Sequence, residues 1–290
     1  MGCVSQFRQA LEGAFGALDW QPIPDGMIHR FRVPGDKPGT MNGWYLLFAD
    51  GIASGVFGSW KASGSQTWSS RKPANPCETR MLTERISQAR QQRAHEQRQR
   101  QHAAAHYANR RWRDARRADP AHPYLICKAV RPYALRQQDD ALLVPLVHDG
   151  QVVNLQRIYP DGSKRFLSGG MVSACYSPLG LITPGQALYI CEGWATGATL
   201  HAETGAAVAC AMNAGNLLPV AQRLQRQHRD AVLIIAGDDD RMTKGNPGRT
   251  AARKAASTLG CGLVLPNWPA NTPIVLSDFN DLRLWLESQE

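Results

Sequence analysis

The stretch AVLIIAGDDD, residues Ala231–Asp240, places three carboxylates directly after a run of apolar residues. Neighbouring like charges repel one another, and each carboxylate loses hydration wherever it is partly buried. A short apolar run that ends at Gly237 is typical of a buried strand followed by a tight turn. The acidic run is therefore either a solvated turn or a place where a cation neutralises the charge.

The sequence on either side of this stretch alternates between strand-like and helix-like segments. Strands are predicted in QALYICEG, GAAVACAM, AVLIIA and CGLVLP, and helices in WATGATLHAET, NLLPVAQRLQRQH and GRTAARKAASTL. Buried apolar strands that alternate with amphipathic helices indicate an α/β fold, with a mostly parallel sheet and helices on both faces. The preceding ALLVPLVHDGQVVNLQRIYPDGSKRFL predicts β-hairpins with turns at HDGQ and PDGSKR.

A second acidic residue, Glu192, ends the strand in LYICEG. Sites in open α/β sheets form at the carboxyl ends of the strands, so neighbouring strands would bring Glu192 close to the Asp run. Alternation along the chain puts Asp238 and Asp240 on one side and Asp239 on the other. Such hard oxygen ligands suit Mg²⁺, with Mn²⁺ as a substitute, and phosphoryl transfer.

The competing interpretation of the Asp run is a helix cap, because Asp is a common N-cap residue. Three in a row, with another acid after a second strand, favour the metal site. The pattern alone does not separate a polymerase from a nuclease or a phosphatase.

Composition divides the chain into three regions. Residues 1–76 predict a small N-terminal α+β domain that binds template, and residues 77–120 an Arg-rich helical connector. Residues 121–290 form the region that carries the acids, with its core at about 185–290.

The seven cysteines include no CxxC pair and no zinc-type Cys/His spacing, so no zinc is expected. No apolar run reaches membrane-spanning length, and a cytoplasmic protein without a membrane partner is expected.

Much of the net charge of +9 lies in the connector. The segment from Glu78 to Ala118 holds eleven Arg against four acidic residues, a net charge of 11 − 4 = +7. The helix is either a nucleic-acid contact, through Arg110, Arg111 and Arg113, or a solvated link between domains.

The aromatic residues of the N-terminal region have two interpretations. Most of them are expected to fill the core of so small a domain. Trp60 and Lys61 are candidates for contact with single-stranded template, because aromatics beside basic residues can stack bases.

Several motifs, taken in order, resemble one family. CEGWATGATL, AMNAGNL, AGDDDRMTKGNPGRTAARKAA and DFNDL are similar to the Toprim superfamily, in the form found in primases of conjugative plasmids (TraC type) and satellite phages. The likeness extends upstream to HPYLICKAV and NLQRIYPDGSKRFLSGG. The resemblance implies that Glu192 is the general base and a metal ligand with Asp238 and Asp240, and that Asp281 is an accessory acid. Nucleotide or template contacts are expected at Lys164 and Arg165, placed in a turn, and at Lys244.

The resemblance predicts a DNA primase that makes short RNA primers on single-stranded DNA from NTPs with Mg²⁺, in plasmid or phage replication or transfer. A replicative helicase or a relaxosome component is the expected further partner. Two alternatives remain: a Mg²⁺-dependent nuclease of the same fold, and a non-catalytic single-stranded-DNA-binding accessory of a helicase.

Overall fold

A computed structural model describes residues 2–60 and 64–290. The chain divides into two compact units, Met1–Gln99 and Arg100–Glu290. The division falls inside one long helix, Pro76–Asp114, so the region boundaries at residues 76 and 120 stay predictions. Within the described ranges no helix has the length and apolar composition that a membrane span needs.

The first unit is built on a four-stranded antiparallel sheet in the order β1-β2-β3-β4. Phe7 and Leu11 of helix α1 pack on one face of it against Tyr45, Leu47 and Phe57. The elements are α1 (Cys3–Phe15), β1 (His29–Phe31), β2 (Gly43–Phe48), β3 (Ser54–Ser59) and β4 (Gln66–Ser69).

The opposite face of this sheet packs against the first half of helix α2 (Pro76–Asp114). Trp44, Leu46 and Val56 alternate with the residues of the first face and contact Ile86 and Ala89 of the helix. Both faces of the sheet are therefore covered, as the buried pattern along β2 and β3 requires.

The second unit begins with an antiparallel sheet in the order β5-β6-β7-β8-β9. The second half of α2 packs on it through Ala108 and Trp112, which contact Leu143 and Leu155. The elements are β5 (Arg116–Arg117), α3 (Pro123–Lys128), β6 (Arg136–Gln138), β7 (Ala141–His148), β8 (Gln151–Ile158) and β9 (Lys164–Phe166).

The predicted place of Lys164 and Arg165 in a turn is wrong, because both residues belong to β9. The turn closes earlier: Tyr159 N–H donates to the Ser163 carbonyl at 3.0 Å, and Gly162 has φ 79°. Lys164 then pairs with Ile158 across the ladder. A Gly in the left-handed region lets the chain reverse before the basic pair rather than at it.

The Arg-rich helix also ends earlier than predicted, at Asp114 instead of Ala118. Arg116 and Arg117 leave the helix to pair with Gln137 and Arg136 of β6. Helix propensity favoured continuation, but strand pairing with a neighbouring element overrides it.

The core of the second unit is a five-stranded sheet in the order β10-β12-β11-β13-β14. β10 runs antiparallel to β12 and the other three pairings are parallel. The elements are β10 (Ser177–Leu179), β11 (Ala187–Cys191), α4 (Trp194–Thr204), β12 (Ala207–Cys210), α5 (Leu217–Gln227), β13 (Val232–Ala236), α6 (Pro247–Leu259), β14 (Gly262–Val264) and α7 (Phe279–Glu287).

Helices cover both faces of this sheet. Cys191 of β11 faces Trp194 and Ala198 of α4, whereas its neighbour Ile190 faces Leu224 of α5. The predicted mostly parallel sheet with helices on both faces is confirmed, and β11 and β13 are neighbours, as the convergence of the acids requires.

Candidate functional site

The acidic residues leave neighbouring strands at the same edge of the sheet. Cys191, the last residue of β11, pairs with Ala236, the last residue of β13. Glu192 follows the first strand and Asp238 follows the second after a single glycine. Gly237 is required there, because a Cβ would lie 2.4 Å from the Cβ of Ala252 on α6.

The acids converge on Gly248 at the start of α6. A Cβ built on Gly248 would lie 2.9 Å from Asp240 Oδ2, 2.9 Å from Glu192 Oε1 and 3.0 Å from the Asp238 carbonyl oxygen. Gly248 N–H donates to Asp240 Oδ2 at 2.9 Å, which places this carboxylate at the positive end of the helix dipole. The absence of a side chain at Gly248 leaves a small hollow between the carboxylates.

Two carboxylate oxygens of these acids have no hydrogen-bond partner among the described residues: Glu192 Oε1 and Asp238 Oδ1, both buried. Burial, and then the nearby Asp240, raise the pKa of Glu192 to about 7. Burial, and then Glu192, raise the pKa of Asp238 to about 9. A bound cation would stabilise the charged forms of these carboxylates and so oppose both causes, and the residues present fit a hard divalent cation.

Asp239, the middle residue of the run, points away from the hollow and has a structural role. It is only 5% exposed, and its carboxylate accepts hydrogen bonds from Asn246 Nδ2 at 2.7 Å and Trp268 Nε1 at 3.0 Å. Its N–H donates to the Ser277 carbonyl at 2.7 Å. These bonds fix the loop that presents Asp238 and Asp240.

Asp278 is an acid near the site that the sequence analysis missed. It is the N-cap of α7 and accepts from Asp281 N–H at 2.9 Å. Burial and the nearby Asp281 raise the pKa of Asp278, and its charge also contributes to the raised pKa values of Glu192 and Asp238. The cap pattern D-x-x-D before an apolar helix was the signal that could have identified it.

Asp281, the predicted accessory acid, is held away from the hollow by its own partners. Its carboxylate forms an ion pair with Lys128 at 3.1 Å and accepts from Ser277 N–H at 3.1 Å. Its charge raises the pKa of Asp278, and its role as an accessory acid stays a prediction.

Lys164 is the basic residue that the structure brings towards the acids. More than a third of its surface is accessible, yet its ammonium group lies 5.6 Å from the centre of the Tyr124 ring. Crowding by protein atoms, and then Lys128, lower the pKa of Lys164, while Asp278 and Asp238 act in the opposite direction. The ammonium group thus lies near Lys128 as well as near the acids Asp278 and Asp238, and part of the side chain is open to solvent.

The other predicted contact residues are not gathered at this site. Arg165 stacks on Tyr159 at 5.8 Å, and Lys244 is exposed in the loop that follows the Asp run. Arg110 and Arg111 flank Tyr107 on α2, at 5.8 and 4.9 Å, and Arg113 is exposed beside them.

The Trp60 ring contacts two guanidinium groups, Arg30 and Arg93, each 4.8 Å from its centre. Its stacking surface is thus engaged within the first unit. Lys61 lies outside the described residues.

A complete metal cage is not preformed: within residues 2–60 and 64–290, no three His, Cys, Asp or Glu side chains converge closely enough to hold an ion. Mg²⁺ usually binds proteins through one or two carboxylates together with water and substrate phosphates. The open cluster of Glu192, Asp238 and Asp240 has this incomplete character.

Two kinds of sequence match relate this chain to known proteins: a family model and individual proteins. Residues 187–285 match the family model of the Toprim domain. The chain is 33% identical over 276 residues to a DNA primase TraC of Escherichia coli, covering 89% of this chain and 19% of that protein. A second DNA primase TraC of Escherichia coli is 34% identical over 260 residues, covering 84% and 24%. The chain thus spans about a fifth to a quarter of the length of these curated relatives.

Among solved structures, the DnaG primase catalytic domain bound to ssDNA aligns with 67% of this chain and 77% of that chain, at 15% identity and a TM-score of 0.43. The Aquifex aeolicus primase (zinc-binding and RNA polymerase domains) covers 99% of this chain and 84% of that one, at 13% identity and a TM-score of 0.41. Residues 187–285 thus match the Toprim domain, in a chain that is similar over most of its length to part of a DNA primase TraC.

Proposed function

We propose that this chain is a DNA primase that synthesises short RNA primers on single-stranded DNA from NTPs with Mg²⁺, during plasmid or phage replication or transfer. The observation that carries the proposal is the convergence of Glu192, Asp238 and Asp240 around Gly248, with two buried carboxylate oxygens unpaired among the described residues. The similarity to proteins named DNA primase TraC supports the same activity.

Glu192, Asp238 and Asp240 would hold the metal, with Asp278 behind them. The ion supplies charge stabilisation for phosphoryl transfer. Mn²⁺ would serve as a substitute, since it accepts the same oxygen ligands.

The chain's own residues have distinct tasks in this proposal. Glu192 takes the proton from the attacking 3′-hydroxyl group as the general base. Lys164 faces the acids and contacts the phosphates of the incoming NTP or of the template. Arg165 and Lys244 would contact the nucleotide or the template outside the carboxylate cluster, and Asp281 would hold the start of α7 as the accessory acid.

The partners follow from the activity. Single-stranded DNA and NTPs are the substrates, and a replicative helicase or a relaxosome component is the proposed assembly partner, in the cytoplasm. The exposed arginines Arg110 and Arg113, with Arg111 between them, would contact the DNA backbone.

The test is incubation of the full chain with single-stranded DNA, labelled NTPs and Mg²⁺. Short RNA products are expected from the unaltered protein and from Glu203→Gln, which removes an exposed carboxylate from α4. Glu192→Gln and Asp238→Ala should make none, because each removes one of the converging acids.

Two other outcomes would reject the primase and favour one of its alternatives. Mg²⁺-dependent shortening of the DNA without RNA products would indicate the nuclease. DNA binding without either reaction, unchanged in Asp238→Ala, would indicate the non-catalytic accessory.

A further inference from the structure

A cavity in the first unit is not used by the catalytic proposal. It has a volume of about 770 Å³ and lies beside β1, the edge strand of the four-stranded sheet. Residues 17–21, Ile23, Met41 and Tyr45 line it together with β1. Ligand sites in proteins commonly fall between about 300 and 1,000 Å³, so the cavity has the size of a binding site.

Three stacked rings form one wall of this cavity. Tyr45 is 2% exposed and lies between Trp20 and His29, with ring centres 5.3 and 5.2 Å away and interplanar angles of 15° and 20°. Trp20 and His29 are only partly buried, so each presents ring surface at the wall. A planar base can pack against such a wall, because every base offers an aromatic face.

Apolar side chains in the same cavity remain open to water. Ile23 is 51% exposed and Met41 is 53% exposed, and both line the cavity. Covering apolar surface of this kind with a flat, weakly polar group is favourable, because it removes the surface from water.

One arginine of the lining can contact an anionic group. Arg32 lines the cavity, and Asp19 is a carboxylate of the same lining. The Arg32 guanidinium is fixed by hydrogen bonds of 2.9 and 2.6 Å to the Asp36 carbonyl. The Arg30 guanidinium does not face this cavity, because it lies 4.8 Å over the Trp60 ring, which packs with Trp44 on the opposite face of the sheet.

We propose that this cavity binds single-stranded DNA, with a base against the wall of Trp20 and His29 and an adjacent phosphate at Arg32. Aromatic side chains combined with arginine are the means by which proteins bind single strands without reading sequence. The site differs from the carboxylate cluster in ligand and in metal requirement. Its existence therefore does not depend on whether the chain makes primers.

The test is equilibrium binding of a fluorescein-labelled oligothymidylate to the full chain in EDTA without NTPs, followed by anisotropy. Ile23→Asp places a carboxylate in the cavity wall and should weaken binding about tenfold, the scale expected for the stacking of one base. The matched control is Met27→Asp, an equally exposed position (55%) in the same loop that does not line the cavity. Equal affinities of the two variants would overturn the proposal.

A second pair of variants tests the phosphate contact. Arg32→Gln should weaken binding about threefold relative to Arg80→Gln, an exposed arginine of α2 with the same change in net charge. Equal affinities of the two variants would show that Arg32 does not contact a phosphate of the bound strand.

A mapped crosslink keeps the proposal falsifiable if a variant fails to fold. An oligonucleotide with iodouracil, irradiated on the unaltered protein, should crosslink to peptides that contain Trp20 or His29. Crosslinks found only in the second unit would overturn the site. If the unaltered protein binds and crosslinks the oligonucleotide at this cavity but makes no primers, that result counts against the proposed function alone.

Discussion

Three identical side chains in the Asp run have three different environments. Asp238 has a buried oxygen without a partner among the described residues, Asp239 is enclosed by Asn246 and Trp268, and Asp240 accepts from a helix N-terminus. The structural bonds of Asp239 fix the loop that directs its two neighbours to the site. Stability and function are therefore divided among adjacent residues of the same type.

The raised pKa values predict a pH-dependent stability for the metal-free protein. The folded pKa of Asp238, about 9, exceeds its ordinary value of 3.8, so the folded state binds more protons than the unfolded chain between these values. The free energy of unfolding should therefore fall as the pH rises through this window, with Glu192 adding to the fall up to about pH 7.

Asp238→Asn should remove most of this dependence and stabilise the metal-free protein at pH 8 by on the order of 1 to 3 kcal/mol. Urea unfolding in EDTA at several pH values measures it. The free energy of unfolding of the unaltered protein could instead rise between pH 5 and 8, by about as much as that of Asp238→Asn. That result would contradict the described cluster.

Gly248 predicts a separation between folding and metal binding. Gly248→Ala would place a Cβ 2.9 Å from both Asp240 Oδ2 and Glu192 Oε1, so the hollow between the carboxylates would be filled. We expect at least a tenfold (about 1.4 kcal/mol) loss in Mg²⁺ affinity, with little loss of stability because alanine favours a helix. Calorimetric Mg²⁺ titration measures it, with Gly13→Ala, which meets nothing within 4 Å, as the control.

At the scale of elements, Asn216 joins segments that are distant in sequence. Its side chain donates to the carbonyls of Val172, Cys175 and Ala211 and accepts from Ala174 N–H. It thereby ties the loop before β10 to the end of β12, next to the start of α5. The motif AMNAGNL therefore has a structural explanation in this fold.

Asn216→Ala should lower the free energy of unfolding by about 2 to 4 kcal/mol, since it leaves several buried groups unpaired. Asn213→Ala, in the same motif but exposed, should cost less than about 1 kcal/mol. Urea denaturation of both variants gives the comparison. Equal losses would mean that the hydrogen bonds of Asn216 contribute no more than a surface side chain.

Most elements of the second unit could be predicted because their patterns are local. The helix predicted at WATGATLHAET is α4, Trp194–Thr204, and the strand in AVLIIA is β13. Errors occurred where a tertiary contact decides the structure: β5 draws Arg116 out of the helix, and Lys164 joins β9 through pairing with Ile158. Such pairings involve residues whose own propensities favour another state.

At the scale of the whole molecule, the site depends on strand order. Glu192 and Asp238 are distant in sequence and meet because β11 and β13 are parallel neighbours, which the sequence could suggest but not decide. Asp278 was not predicted because its approach to the cluster depends on where α7 packs. The N-terminal cavity was equally inaccessible, since the sequence drew attention to Trp60 rather than Trp20.

The net charge of +9 predicts DNA binding that weakens steeply with salt. If the arginines of the second half of α2 bind phosphates, Arg110→Gln with Arg113→Gln should lower the slope of log K against log salt by about 0.7 for each phosphate that is no longer neutralised. Arg80→Gln with Arg90→Gln, on the first half of the same helix, gives the same change in charge. Anisotropy titrations over a range of salt concentrations compare the pairs. Equal slopes would show that the charge of α2 acts only through the overall field of the protein, and that its second half does not bind the strand at defined phosphates.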